Sequence, residues 1–219
     1  SWSKPDGGMF LWLRLPEYMD TREMIHDAVE QKVAYVIGSC FYADGGGKNE
    51  MRLNYSYPTD EQIVERGREA VDHGCTEMHI VGGVHHQKPF DWYRNILHIL
   101  HEAYPALHLK AWTAVEIDYF ARRENRPVAA ILKELMTAGL GSLPGGGAEI
   151  LDERIRQRLY PRKIGPARWL EVVRSAHDLG IKTNATMLYG HIESDEQRVT
   201  HLLRLRSLQD QTGGILAFI

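Results

Sequence analysis

The segment Pro144-Gly145-Gly146-Gly147-Ala148-Glu149 has residue types suited to chemistry. A glycine-rich turn ahead of a helix presents backbone N–H groups that can cradle a phosphate. It is not a dinucleotide fingerprint: no G-x-G-x-x-G occurs, and no acidic residue follows at the required place. Val81-Gly82-Gly83 is a second glycine turn, and by residue type alone it reads as a plain strand-to-helix connection. Arg52, in Met51-Arg52-Leu53-Asn54, offers a planar, permanently charged fork that matches a carboxylate, or it decorates a strand surface. His85-His86 suggests zinc, but adjacent imidazoles are expected to face different ways and no third ligand is placed, so a solvated loop is the expectation. The other histidines lack H-E-x-x-H spacing, and no Ser or Cys sits in a nucleophile elbow. Cys40 and Cys75 are the two cysteines, too few for an iron–sulfur cluster, and both are expected as buried structural thiols. No metal site and no catalytic residue is assigned.

Secondary structure must position these groups. Met9 to Leu13 is apolar and β-prone. Asp20 or Thr21 can cap a helix to about Gln31, with Met24, Ile25, Ala28 and Val29 on one face. Val33 to Ile37 reads as a strand, Ala43 to Gly47 as a loop, and Met51 to Tyr55 as a strand. Thr59 to Gly74 reads as a helix with an apolar stripe of Ile63, Val64, Ala70 and Val71. Beyond it, strands at 77–81, 107–115, 182–189 and 214–219 alternate with helices at 89–104, about 116–138, 152–159, 166–179 and 195–211. Each strand–helix unit is roughly 30 residues long. That rhythm implies parallel strands with right-handed crossovers, in a doubly wound sheet or a (β/α) barrel.

The chain has 219 residues, 43% hydrophobic and 25% charged, with net charge −3. These values give no reason to expect nucleic acid or an anionic membrane as a partner. No apolar run is long enough to span a bilayer, and the start shows no signal-peptide pattern. It also lacks an initiator Met, so the N-terminus is expected upstream. Two cysteines fit a reducing cytoplasm better than a disulfide framework. The expected partner is a small-molecule substrate.

Pro5-Asp6-Gly7-Gly8-Met9-Phe10-Leu11-Trp12, then Gly38-Ser39-Cys40-Phe41-Tyr42, then Met51 to Ser56, resemble in order and spacing the end of a class I/II aminotransferase dependent on pyridoxal phosphate. The resemblance implies that residues 1–59 are an α+β small-domain fragment. It also gives Arg52 the substrate α-carboxylate. Lys4, Lys32 and Lys48 match no Schiff-base motif, so the resemblance implies no transamination here.

Five stretches of residues 60–219 resemble the menaquinone and deazaflavin branch of radical S-adenosylmethionine (SAM) enzymes, aminofutalosine synthases above all. They are 77–83, 110–117, 142–150, 183–193 and 204–214. The resemblance implies a partial (β/α) barrel with ligands at the C-terminal ends of its strands. Gly82 and Gly83 would then meet the SAM amino group, and Glu149 and Arg168 would contact SAM. Glu116, Thr186 and His191, expected at strand ends, would line the substrate cavity. In that family a [4Fe–4S] cluster reduces SAM, and the 5′-deoxyadenosyl radical adds to 3-[(1-carboxyvinyl)oxy]benzoate. The family's C-x-x-x-C-x-x-C ligands and its first strand are not found here, so the expectation is an inactive fragment with two open sheet edges. An aminotransferase fragment and a non-catalytic SAM-binding module are the alternatives.

Overall fold

A computed structural model describes residues 1–3, 10–31, 33, 35–42, 44–54 and 59–219. Pro5-Asp6-Gly7-Gly8-Met9, Lys4, Lys32, Ala43, Tyr55 and Ser56 lie outside the described residues. The chain divides into two compact units, Ser1–Thr59 and Asp60–Ile219.

The first unit is α+β. Strands β1 (Phe10–Arg14), β2 (Val36–Ile37) and β3 (Glu50–Asn54) form an antiparallel sheet in the order β1-β3-β2. Helix α1 (Thr21–Glu30) starts at Asp20, whose side chain accepts from the Arg22 N–H, as a cap should. Of the strand expected from Val33 to Ile37, Val36–Ile37 is strand and Val33 and Tyr35 are not, and at Gly38 the chain enters a 3-10 turn, Gly38–Phe41. Only glycine fits there: a Cβ would lie 2.5 Å from the carbonyl oxygens of Gly47 and Glu50. Glu50 is buried and holds the sheet together. It accepts from Trp12 Nε1 at 2.6 Å, Tyr42 Oη at 2.8 Å and Arg14 Nε at 2.7 Å. Burial alone would raise its carboxyl, but these donors outweigh that and hold it below the ordinary carboxylate value.

The second unit is α/β. Its strands are β4 (Glu77–Ile80), β5 (His108–Ala111), β6 (Leu140–Leu143), β7 (Lys182–Ala185) and β8 (Ile215–Phe218). They form one parallel sheet in the order β4-β5-β6-β7-β8. Its helices are α2 (Asp60–Asp72), α3 (Phe90–Ala103), α4 (Ala114–Arg123), α5 (Val128–Thr137), α6 (Glu153–Leu159), α7 (Pro166–Asp178) and α8 (Asp195–Thr212). Strand order equals chain order, which is the arc of a (β/α) barrel. Among the described residues β4 and β8 each have one strand neighbour. Leu109, Ala111, Leu143 and Ala185 bury against Leu97, Ile117, Phe120, Leu132, Trp169 and Val172.

Two strands are shorter than their sequences suggest. β5 ends at Ala111, not Val115, because Trp112 takes a left-handed φ of 57° and Thr113 caps α4. β7 ends at Ala185, not Tyr189. The stripe expected on α2 is also narrower: Ile63 and Gly67 are buried, whereas Val71 is 43% exposed. Gly67 lets Tyr104 lie across the helix and donate from its hydroxyl to the Val64 carbonyl at 2.9 Å. A Cβ at Gly67 would stand 2.6 Å from that ring. Gly67→Ala should therefore cost about 1–3 kcal/mol in forced repacking, against about 1 kcal/mol gained in helix propensity. A thermal melt should fall by about 2–4 °C; a rise would show that Tyr104 swings away freely.

Candidate functional site

The loops after the strands gather most of the residues singled out above. After β4, Gly82 and Gly83 are exposed and Gly83 has φ 65°. A Cβ at Gly83 would meet nothing within 4 Å, so this backbone is open to a ligand. Glu116 is not at a strand end. It is the third residue of α4 and forms a capping box with Thr113, whose backbone N–H donates to Oε2 at 2.7 Å. Its Oε1 accepts from the Gly82 N–H at 3.0 Å, and the side chain is buried.

After β6, Gly145 lies so close to β7 that a Cβ would sit 2.8 Å from the Ala185 nitrogen. Thr186 donates from Oγ1 to the Gly145 carbonyl at 2.9 Å. Glu149, at φ 45°, pairs through its carboxylate with Lys163, and its carbonyl accepts from the Leu188 N–H at 2.8 Å. Arg168, in the first turn of α7, donates to Asp118 and Glu171, each at 2.6 Å. Glu149 and Arg168 thus each have an ionic partner of their own. After β7, His191 is exposed, its backbone N–H donates to Glu193 Oε2 at 3.0 Å, and its ring meets Tyr160 edge-on at 6.5 Å. The Gly190 N–H leads the donors that hold the Glu193 carboxyl down to about 2; the His191 N–H and Arg198 add to it. In the first unit, Arg52 lies on β3 opposite Trp12 and Val36, its guanidinium 4.8 Å over the Phe41 ring.

Two expectations need correction. The His85 and His86 rings are parallel, 5.3 Å apart with planes 9° apart, rather than facing different ways. The β4–α3 loop is held from α4, which constrains both residues. Cys40 and Cys75 are exposed, not buried. Cys40 sits in the 3-10 turn, and Cys75 follows the left-handed Gly74 just before β4, at the opposite end of that strand from Gly82.

One feature escapes a reading by motif. The face of the sheet turned away from the apolar core carries Glu77, His79, His108, Lys110, Ser142 and Asn184. Lys110 donates to Glu77 at 2.8 Å, His79 Nε2 lies 2.8 Å from the same carboxylate, and His108 Nε2 is 2.8 Å from Ser142 Oγ. Period-two alternation in Glu77-Met78-His79-Ile80 and His108-Leu109-Lys110-Ala111 was the available signal. A cavity of about 480 Å³ between α3 and α5 touches none of these residues.

The fit to cofactors differs between groups. Open glycine backbone at a strand's C-terminal end suits SAM. An iron–sulfur cluster does not fit: three thiolates are needed, this chain has two cysteines, and no His/Cys/Asp/Glu group among the described residues could hold a metal ion. Among the described residues of the first unit the one lysine, Lys48, is exposed and offers pyridoxal phosphate no enclosed Schiff-base site. Among the described residues no helix is long and apolar enough to cross a membrane.

The family model of the Radical SAM superfamily matches residues 38–205. Aminodeoxyfutalosine synthase of Thermus thermophilus is 46% identical over 159 residues, covering 73% of this chain and 43% of that protein. The 5-amino-6-(D-ribitylamino)uracil–L-tyrosine 4-hydroxyphenyl transferase of Archaeoglobus fulgidus is 42% identical over 168 residues, covering 77% of this chain and 49% of that protein. The chain therefore spans under half the length of either relative. The resemblance to aminofutalosine synthases drawn from five stretches is borne out. Among solved structures, LysN, an α-aminoadipate aminotransferase of Thermus thermophilus, is 41% identical over 26% of this chain and 14% of its own, with a TM-score of 0.25.

Proposed function

Because the chain belongs to the radical SAM superfamily, we propose that residues 60–219 are the SAM- and substrate-holding part of an enzyme of the aminodeoxyfutalosine synthase type, and that this chain alone generates no radical. The observation that carries the reading is 46% identity to such a synthase over 159 residues, 73% of this chain.

SAM, if bound, would be the source of the 5′-deoxyadenosyl group, with methionine as its leaving group. The chain's own residues bind and orient. Gly82 and Gly83 would hold SAM, with Glu149 and Arg168 as further contacts. His191, beside the exposed Leu188 and Tyr189, gives the rim an apolar mouth with polar points, as small-molecule sites have. On the polar sheet face below, Lys110 is paired with Glu77, and the buried Asn184 amide is the group left to meet a substrate. One second reading, a SAM-binding module without catalysis, is favoured over an aminotransferase remnant by the Radical SAM match over residues 38–205. The expected setting is cytoplasmic, with a small molecule as partner.

Anaerobic reconstitution with iron and sulfide, followed by SAM titration, tests this. The expected result is saturable SAM binding and no stoichiometric cluster. A cluster whose spectrum responds to SAM would overturn the inactivity. Absence of any SAM binding would overturn the reading of the rim.

A further inference from the structure

Three side chains of one helix face reach across to one loop. Glu116, Tyr119 and Arg123 lie at i, i+3 and i+7 on α4, so they share a face. Glu116 accepts from the Gly82 N–H at 3.0 Å. Tyr119 Oη is 3.4 Å from the His85 carbonyl. Arg123 donates to the His86 carbonyl at 2.9 Å and to the Tyr119 hydroxyl at 2.9 Å. On the loop's other flank, Tyr93 Oη accepts from the His85 N–H at 2.9 Å. Gly83 has φ 65° and open space where a Cβ would stand, so the contacts to its neighbours in the loop are what the structure offers to fix this turn.

We propose that Glu116 is a positioning residue that holds the Gly82–Gly83 turn in the shape that takes up SAM, rather than a residue lining the substrate cavity. Its carboxylate has two oxygens and each is engaged by a backbone N–H, one from Thr113 and one from Gly82. This buried carboxylate is therefore turned to the backbone of two turns and not to solvent. One side chain thereby fixes both the start of α4 and the turn after β4. The role rests on the SAM reading above, and its physical half can be measured without SAM.

Glu116→Asp separates the two jobs. Aspartate at the third helical position can still accept from the Thr113 N–H, but it is one methylene too short to reach Gly82. The variant should fold and melt close to the parent protein. Its Gly82 amide should exchange with deuterium at least tenfold faster, and its SAM dissociation constant should rise about tenfold, as expected for losing a hydrogen bond to a charged acceptor. Glu116→Gln keeps one acceptor oxygen and reports which N–H holds it: SAM affinity near the parent value means the Gly82 bond is retained, and Gly82 exchange must then stay slow. Unchanged Gly82 exchange in Glu116→Asp would overturn the positioning role. Faster exchange with unchanged SAM affinity would show that the turn is pinned for some other purpose, and would overturn the proposal. If the parent protein binds no SAM while Gly82 exchange still depends on Glu116, the SAM reading fails and the pin stands.

Discussion

Replacing Arg156 by methionine is expected to destabilise the second unit by about 3–5 kcal/mol, the loss seen when one partner of a buried charged network is removed. Arg156 is 2% exposed. Its Nη1 donates to the carbonyls of Gly147 at 3.0 Å and Ala148 at 2.7 Å, and its Nε to that of Ile164 at 2.9 Å. The β6–α6 loop has few backbone partners of its own, so the guanidinium serves as its hydrogen-bonding scaffold. Burial lowers the guanidinium pKa, yet so strong a base remains charged. Methionine fills much of the volume but leaves buried carbonyls without donors, at about 1–3 kcal/mol for each that water cannot reach. Arg156→Lys keeps the charge on a single nitrogen and cannot span carbonyls on both sides, so it should recover less than half of the loss. Urea unfolding of the parent and both variants reads this directly. A loss under about 1 kcal/mol for the methionine variant would mean that water replaces the guanidinium.

Such a network is the kind of feature a sequence hides. Strand–helix alternation, the Asp20 cap and the glycine turns could be read from local residue types, because propensity, caps and left-handed turns act over a few residues. Partner choice is not local. Asp118 meets Arg168 across 50 positions, and Glu149 meets Lys163 across 14. Nothing in either pair's neighbourhood marks the other. The strand ends failed for a local reason that could have been seen: Thr113-Ala114-Val115-Glu116 is a capping box, and recognising it would have ended β5 early and put Glu116 on a helix. Gly67 was missed because glycine inside a helix usually signals weakness. Here it signals close approach of Tyr104. Cys40 and Cys75 were expected to be buried on residue type alone, yet both sit at turns where the chain faces solvent. For the rim, the glycines could be read as glycines, but not that side chains of other elements pin them: Glu116 to Gly82, Thr186 to Gly145, Glu193 to Gly190.

That rim is also tied to pH through α8. His201 is fully buried, its Nδ1 accepts from the Leu151 N–H at 3.0 Å, and its Nε2 meets no hydrogen-bond partner among the described residues. Burial pushes its pKa from 6.5 to about 4. A contact with the Thr186 backbone works the other way, and Arg156 and Arg204 add to the fall. His177, between Thr212 Oγ1 at 2.6 Å and Thr183 Oγ1 at 3.0 Å, is likewise lowered to about 4, chiefly by burial. For both, the folded value lies below the unfolded one. The unfolded chain therefore binds more protons between pH 6.5 and 4, so stability is full above 6.5, falls with pH through that window and levels off below about 4. Each histidine should cost about 3 kcal/mol across it. Glu193, held to about 2, acts in a lower window, from about 4.5 downward, and does not obscure the effect. Asparagine at position 201 can offer an oxygen to the Leu151 N–H and has no charge to gain. His201→Asn should therefore remove about half of the loss between pH 7 and 4.5, leaving the part due to His177. Urea midpoints measured across that range for the two proteins should converge as the pH falls. Parallel curves would show that His201 takes up its proton inside the fold, with Nε2 served by water, and that the Leu151 contact does not keep it neutral.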